Sequence, residues 1–268
     1  RPRRSLDQRQ QSLQANLWID DADIVDAVRR ESKPFRQGCE PRDLGGIRPA
    51  LHTVRQDHVA IRGVTRHRSL CHVATSASGR LAVQISIEHL PYVDRLDARQ
   101  RDPDIVVIHC TELPDLAAAR REGEIERYAS GTGNSGHLYI DRDGSVTEYV
   151  PIERVAHHTR GWNARSVGIE LVNIGRYPDW LDSRRQTMTE PYSDAQIEAL
   201  IALLRWLTAR WPTLTDIAGH EDLDLTEVPA SDDATVLVRR KRDPGPWFPW
   251  ARVLAHSGLK RRLSAALP

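Results

Sequence analysis

Three side chains with metal-binding or charge-stabilising chemistry share one stretch, GHEDL…RRKRDPGPWFPW, between Gly219 and Trp250. His220 and Asp243 are good zinc ligands separated by a long connecting loop, and Lys241 stands two residues before the aspartate. The DPGP run then turns the chain sharply, because proline fixes φ and glycine admits backbone conformations that other residues avoid. A stiff turn directly after a ligand suits a preorganised site. Lysine is scarce: Lys33, Lys241 and Lys260 are the only three, beside thirty-five arginines. That scarcity sets Lys241 apart from a random surface charge, although it also sits in the basic run from Arg239 to Arg242.

A catalytic zinc takes three protein ligands and keeps one position open for water. His109 is the candidate third ligand, at the end of the apolar run Asp104-Ile-Val-Val-Ile-His109. Taken alone, a histidine at a strand end is more often only a hydrogen-bonded surface or core residue, and no short HExxH spacing strengthens it. Zinc lowers the pKa of bound water toward about 7 and polarises a carbonyl, but the water still needs a base. Glu170, flanked by apolar neighbours from Val167 to Val172, is the candidate, since burial raises a carboxyl toward neutrality. The alternative for Glu170 is a strand glutamate on the solvent face, and for Lys241 one more charge among arginines.

These residues need a scaffold. The 104–109 run predicts a buried strand that delivers His109 at its C-terminal end, where open α/β sheets place ligands. A helix is predicted over 114–128, and a hairpin over 136–150 with its turn at Asp143-Gly144. Ser166 to Asn173 is expected to be a second buried strand. Ser193 and Gln196 form a capping box that opens a long helix with an apolar stripe of Ile197, Leu200, Ile201, Leu204 and Leu207. A strand at 216–219 reaches His220, and a closing helix is expected over 250–263. Strands alternating with helices predict an α/β fold, a mixed central β-sheet flanked by helices.

Composition narrows the function classes. Hydrophobic content is 40% and formal net charge is +1, which disfavours a nucleic-acid binder driven by bulk electrostatics. No run approaches the roughly 18 apolar residues of a membrane span, and no Gly-rich phosphate loop occurs. Cys39, Cys71 and Cys110 are too few and too scattered for a disulfide framework, so a reducing compartment is expected. Residues 1–80 hold fifteen basic against nine acidic side chains and little periodicity beyond one helical stretch over 20–30. Residues 1–85 are therefore expected to be a poorly ordered extension or a mis-called start, with a partner-binding arm as the other reading. Residues 86–268 are expected to form the functional domain.

The ordered set IVVIHCTE, NSGHLYIDRDG, VAHHTRGWN, SVGIELVN, PYSDAQ, IAGHEDL and KRDPGPWFPW resembles the zinc-dependent N-acetylmuramoyl-L-alanine amidases. These AmpD-type enzymes are related to peptidoglycan recognition proteins and phage amidases. The resemblance covers roughly residues 90–250. It implies Zn2+ held by His109, His220 and Asp243, with Glu170 as catalytic acid–base and Lys241 stabilising the oxyanion. It also implies that His158, Asn173, Asn134 and His137 line a groove for peptidoglycan fragments (muropeptides). The implied reaction is hydrolysis of the amide between the lactyl group of N-acetylmuramic acid and L-alanine. A non-catalytic peptidoglycan-binding module of the same fold is the alternative. The connection from Glu221 to Arg240 departs from the family pattern by its length. Without a recognisable export signal the expected compartment is the cytoplasm, or the periplasm if the true start carries such a signal.

Overall fold

A computed structural model describes residues 83–263. The helix expected over 20–30, nearly all of the expected 1–85 extension, and Cys39 and Cys71 lie outside the described residues. In chain order the described elements are β1 (Ile85–Ile87), β2 (Ile105–Cys110), α1 (Leu116–Gly123), β3 (Leu138–Ile140), β4 (Val146–Glu148), β5 (Ser166–Leu171), α2 (Asp194–Arg210), β6 (Asp216–Gly219), α3 (His220–Leu223), β7 (Glu227–Pro229), β8 (Leu237–Arg239), α4 (Trp250–Ser257) and β9 (Lys260–Arg261).

Strands β2 and β5 are buried at every position, as continuous apolar runs require when both faces of a sheet are covered. They sit centrally in a seven-stranded mixed sheet of order β1-β4-β3-β5-β2-β6-β9, antiparallel only between β3 and β4. Side chains alternate across it. Val106, Ile108, Val167, Ile169 and Ile217 meet the stripe of α2 and Val253 of α4 in the main core. The intervening positions, among them His109, Glu170 and Tyr139, point to the other face, where they lie in register across β2, β5 and β3.

The capping box forms as expected: Ser193 Oγ accepts from Gln196 N at 3.0 Å and Gln196 Oε1 from Ser193 N at 3.1 Å. The buried Gln196 amide also donates to Val172 O at 2.9 Å, tying the start of α2 to the end of β5. The hairpin turn is at Asp143-Gly144, with Gly144 at φ +85.

Three expectations are corrected. Helix α1 ends at Gly123 rather than near Tyr128, because Tyr92 Oη donates to Gly123 O at 2.6 Å and the chain folds back, with Arg127 N and Tyr128 N both donating to Thr132 O. Helix α4 ends at Ser257, where Gly258 takes the left-handed conformation that closes many helices. Residues 260–261 instead extend the sheet as β9, with Lys260 N and Arg262 N donating to Thr215 O and Ile217 O. The long loop expected after His220 is structured: a single helical turn, α3, and then an antiparallel hairpin of β7 and β8.

Candidate metal centre

Parallel pairing places Ile108 of β2 beside Gly219 of β6, so His109 and His220 emerge side by side at the carboxyl ends of neighbouring strands. Their rings lie 4.5 Å apart. Asp243 arrives from outside the sheet, on the segment after β8, and Glu221 N holds its carbonyl at 2.8 Å. Gly219 admits that approach, since a Cβ there would stand 2.8 Å from Pro244 Cδ. Asp243 Oδ2 lies 3.0 Å from His109 Nδ1 and 3.1 Å from His220 Nδ1. All three residues are buried.

The hydrogen-bond polarity behind His109 fixes which of its ring nitrogens faces the cluster. The Trp162 carbonyl can only accept, so Ser166 Oγ donates to it at 2.8 Å and accepts from His158 Nε2 at 3.1 Å. His158 Nδ1 is then an acceptor, with His109 Nε2 at 3.0 Å and Thr159 Oγ1 at 2.9 Å. Burial and the neighbouring His109 hold the His158 pKa well below the usual imidazole range, consistent with this neutral form. With Nε2 spent as the donor to His158, His109 turns Nδ1 toward the Asp243 carboxylate. A carboxylate this close to an imidazole nitrogen is held there by a shared proton or by a cation between them. Asp243 Oδ1 and His220 Nε2 are also buried without a protein hydrogen-bond partner. Burial holds His220 neutral, with its pKa down to about 3. The Asp243 carboxyl, which burial would raise, is held well below its usual range by its place against His220, His109 and Lys241. Two imidazoles and one carboxylate, their donor atoms all within 4.8 Å of one another, suit a divalent metal of the zinc type.

Glu170 faces the cluster across the β2–β5 ladder, its Oε1 4.0 Å from His109 Nδ1. It is 1% exposed, which removes the solvent-face alternative, and neither carboxyl oxygen has a protein partner. Burial raises its pKa to about 7, against the pull of His109 and with a smaller push from Asp243. Gly136 leaves room for this side chain, since a Cβ there would meet Glu170 Cγ at 2.7 Å. Lys241 is buried too, so it is no member of a solvated basic run, and burial lowers its pKa while Asp243 opposes.

The four residues expected to line a groove fall in different places. Asn134 borders a cavity shared with Glu170, Thr111, Leu113, Arg127 and Tyr139, and accepts a hydrogen bond from Tyr128. His158 stands behind His109, as described. Asn173 is buried, donating to Glu190 O at 3.1 Å and accepting from Gly175 N at 2.9 Å, so it shapes the loop after β5. His137 is fully buried: Nδ1 accepts from Gly168 N at 3.0 Å, Nε2 lies 3.1 Å from Arg154 O, and burial with the Arg99 charge lowers its pKa to about 3. It presents no surface to a groove. Sequence reasoning missed Thr159 and Ser166 as parts of the chain behind His109, although Thr159 directly follows His158 and Ser166 opens the expected strand.

Two expected results follow. His158→Phe keeps the ring but breaks the chain at Nδ1, and lowers metal affinity about 10–100-fold, the usual cost of losing a ligand's outer partner. A chelator-competition titration measures this, and an unchanged affinity refutes the polarity argument. Gly168→Ala drives a methyl to 2.7 Å from the anchored His158 ring. It destabilises the fold by about 1–3 kcal/mol, read as a fall of roughly 2–4 °C in Tm per kcal/mol.

Fold and site together define a buried His₂Asp cluster able to hold a metal on an α/β sheet, with the Glu170 carboxyl and the Lys241 side chain beside it. The chain belongs to the N-acetylmuramoyl-L-alanine amidase family, whose profile matches residues 99–246, more than half of its length. Curated relatives include the 1,6-anhydro-N-acetylmuramyl-L-alanine amidases AmpD of Enterobacter cloacae and Citrobacter freundii. The first is 35% identical over 44% of this chain and 54% of the relative. The second is 28% identical over 59% of this chain and 84% of the relative. The match thus spans about half the length of the Enterobacter protein. Among solved structures, a complex of the amidase AmiD from E. coli with anhydro-N-acetylmuramic acid-L-Ala-D-gamma-Glu-L-Lys is 26% identical, covers 61% of each chain and has a TM-score of 0.44. Among the described residues no helix is long and apolar enough to cross a membrane.

Proposed function

We propose that this chain hydrolyses the amide between the lactyl group of N-acetylmuramic acid and L-alanine, with Zn2+ held by His109, His220 and Asp243. The observation that carries the reading is the buried, unpartnered Glu170 carboxyl 4.0 Å from a ligand histidine. When bound, zinc lowers the pKa of water and polarises the scissile carbonyl. Glu170 takes a proton from the attacking water and returns it to the nitrogen of L-alanine as the C–N bond breaks. Its pKa near 7 suits both roles at neutral pH. Lys241 supplies positive charge toward the oxygen on which negative charge grows. Water adds across the amide, leaving a lactyl carboxylate and a free amine on the stem peptide.

In this reading Asn134 borders the groove, while His158, Asn173 and His137 support it from behind. The substrate is intact peptidoglycan or an anhydro-muropeptide. The rival, a binding module without catalysis, has no use for a metal ligand set kept complete beside a buried acid–base. The test is release of stem peptide with a free L-alanine amine, measured by mass, from purified anhydro-muropeptide and from intact sacculi. Cleavage of the soluble fragment alone fits recycling in the cytoplasm, and cleavage of sacculi fits wall remodelling in the periplasm. No cleavage of either, with metal demonstrably bound, overturns the enzyme in favour of the binding module.

A further inference from the structure

The position of Asp243 and Lys241 relative to His109 is not set by the sheet. Both residues follow β8, which pairs with β7 in a separate two-stranded sheet. Something outside the main ladder must hold that segment against the carboxyl ends of β2 and β5.

Arg176 is placed to do so. Its side chain is fully buried, and all five guanidinium hydrogens have acceptors. Nε donates to Glu112 Oε1 at 2.7 Å and Nη2 to Glu112 Oε2 at 2.9 Å, a bidentate fork. Nη2 also donates to Arg240 O at 3.1 Å, and Nη1 to Arg239 O at 3.0 Å and to Gln186 Oε1 at 3.1 Å. One side chain therefore joins the loop after β2, the loop after β5, the segment around Gln186 and the two carbonyls immediately before Lys241. Because every donor is used within the protein, Arg176 has none left for a substrate.

The backbone around the pair is shaped for it. Glu112, three residues after His109, has φ +48, a left-handed conformation uncommon for side chains other than Asn, Asp or Gly. Trp180 Nε1 donates to Glu112 O at 3.1 Å, and Arg176 N to Glu112 Oε1 at 3.2 Å. Gly175, itself at φ +52, is what lets Glu112 lie there, since a Cβ would stand 2.6 Å from Glu112 Cγ. A surface ion pair needs none of these arrangements.

We infer that Glu112 and Arg176 are positioning residues, a buried strut that sets where Lys241 and Asp243 stand against His109 and Glu170. The catalytic part of this assignment rests on the proposed amidase reading, whereas the metal-binding part does not. Lysine keeps the charge at 176 but cannot span the fork and the two carbonyls together. Arg176→Lys is expected to weaken zinc binding by about 10–100-fold. It also changes the visible spectrum of the Co2+-loaded protein, because the angle at which Asp243 meets the metal moves. On anhydro-muropeptide, with metal saturating, kcat falls by about tenfold or more, and KM changes less than kcat does.

The measurements are made on the full chain below the variant's own Tm. If Arg176→Lys does not fold, Glu112→Gln, which keeps the shape and one acceptor oxygen, takes its place with smaller shifts in the same directions. A folded variant whose Zn2+ affinity, Co2+ spectrum and kcat all match the wild type overturns the strut and leaves a pair that only stabilises the fold. A wild type that binds metal but cleaves nothing overturns the amidase reading alone, and the affinity and spectrum still decide the strut.

Discussion

Glu170→Ala lowers kcat on the anhydro-muropeptide by about 10²–10⁴-fold, the range expected when a positioned acid–base is lost. Zinc binding survives, because Glu170 is not among the three convergent donors. The size of the effect follows from the burial of Glu170. The carboxyl is 1% exposed, so bulk solvent does not take over its work when the side chain is removed. Glu170→Gln is the sharper variant, since it fills the same space beside Gly136 and His109 yet cannot shuttle a proton. Both variants are expected to keep KM within a few-fold of wild type, because the loss falls on the transition state rather than on binding. A Gln variant that retains more than about a tenth of wild-type kcat, with zinc bound, would move the proton transfer to another group and sink the assignment.

Asp243→Ala is expected to abolish zinc binding at micromolar metal and, with it, turnover. The loss exceeds the 10–100-fold typical of an outer partner, because in the proposed site the carboxylate is a ligand and also neutralises charge where water cannot. Two bare imidazole nitrogens remain, and a two-ligand site holds zinc poorly. Asp243→Cys restores binding in part, since a thiolate is itself a zinc ligand and Gly219 still admits the segment. Removing metal from the wild type with a chelator abolishes cleavage, and adding Zn2+ restores it. Full activity in metal-free wild type, or wild-type zinc affinity in Asp243→Ala, would separate the His₂Asp cluster from the reaction.

Much of this site was legible in the residues because its chemistry is carried by side-chain type and strand-end placement. The apolar run before His109 and the one around Glu170 could bury themselves only as central strands, and their register then put the two groups opposite each other. The capping box announced the start of α2 through groups that lie within one turn. Helix ends were less legible. Helix α1 stops where Tyr92, thirty-one residues away in sequence, takes the Gly123 carbonyl, and no local pattern contains that. The end of α4 had a local signal in Gly258, but the strand beyond it exists only because β6 offered an open edge.

The groove expectations for His158, Asn173 and His137 show the limit most clearly. Histidine and asparagine suit ligand contacts and buried hydrogen bonds equally well, and their type does not say which. In the fold their polar atoms meet Gly168 N, Arg154 O, Ser166 Oγ and Glu190 O, which only the folded chain brings within reach. The same holds for Glu112 and Arg176, sixty-four residues apart and without a motif of their own. The sequence by itself determined the candidates for donor set and acid–base and the sheet that carries them, because side-chain chemistry and apolar periodicity are local properties. Tertiary structure alone decided which way each polar group points, since a buried donor or acceptor takes its role from whichever partner the packing supplies.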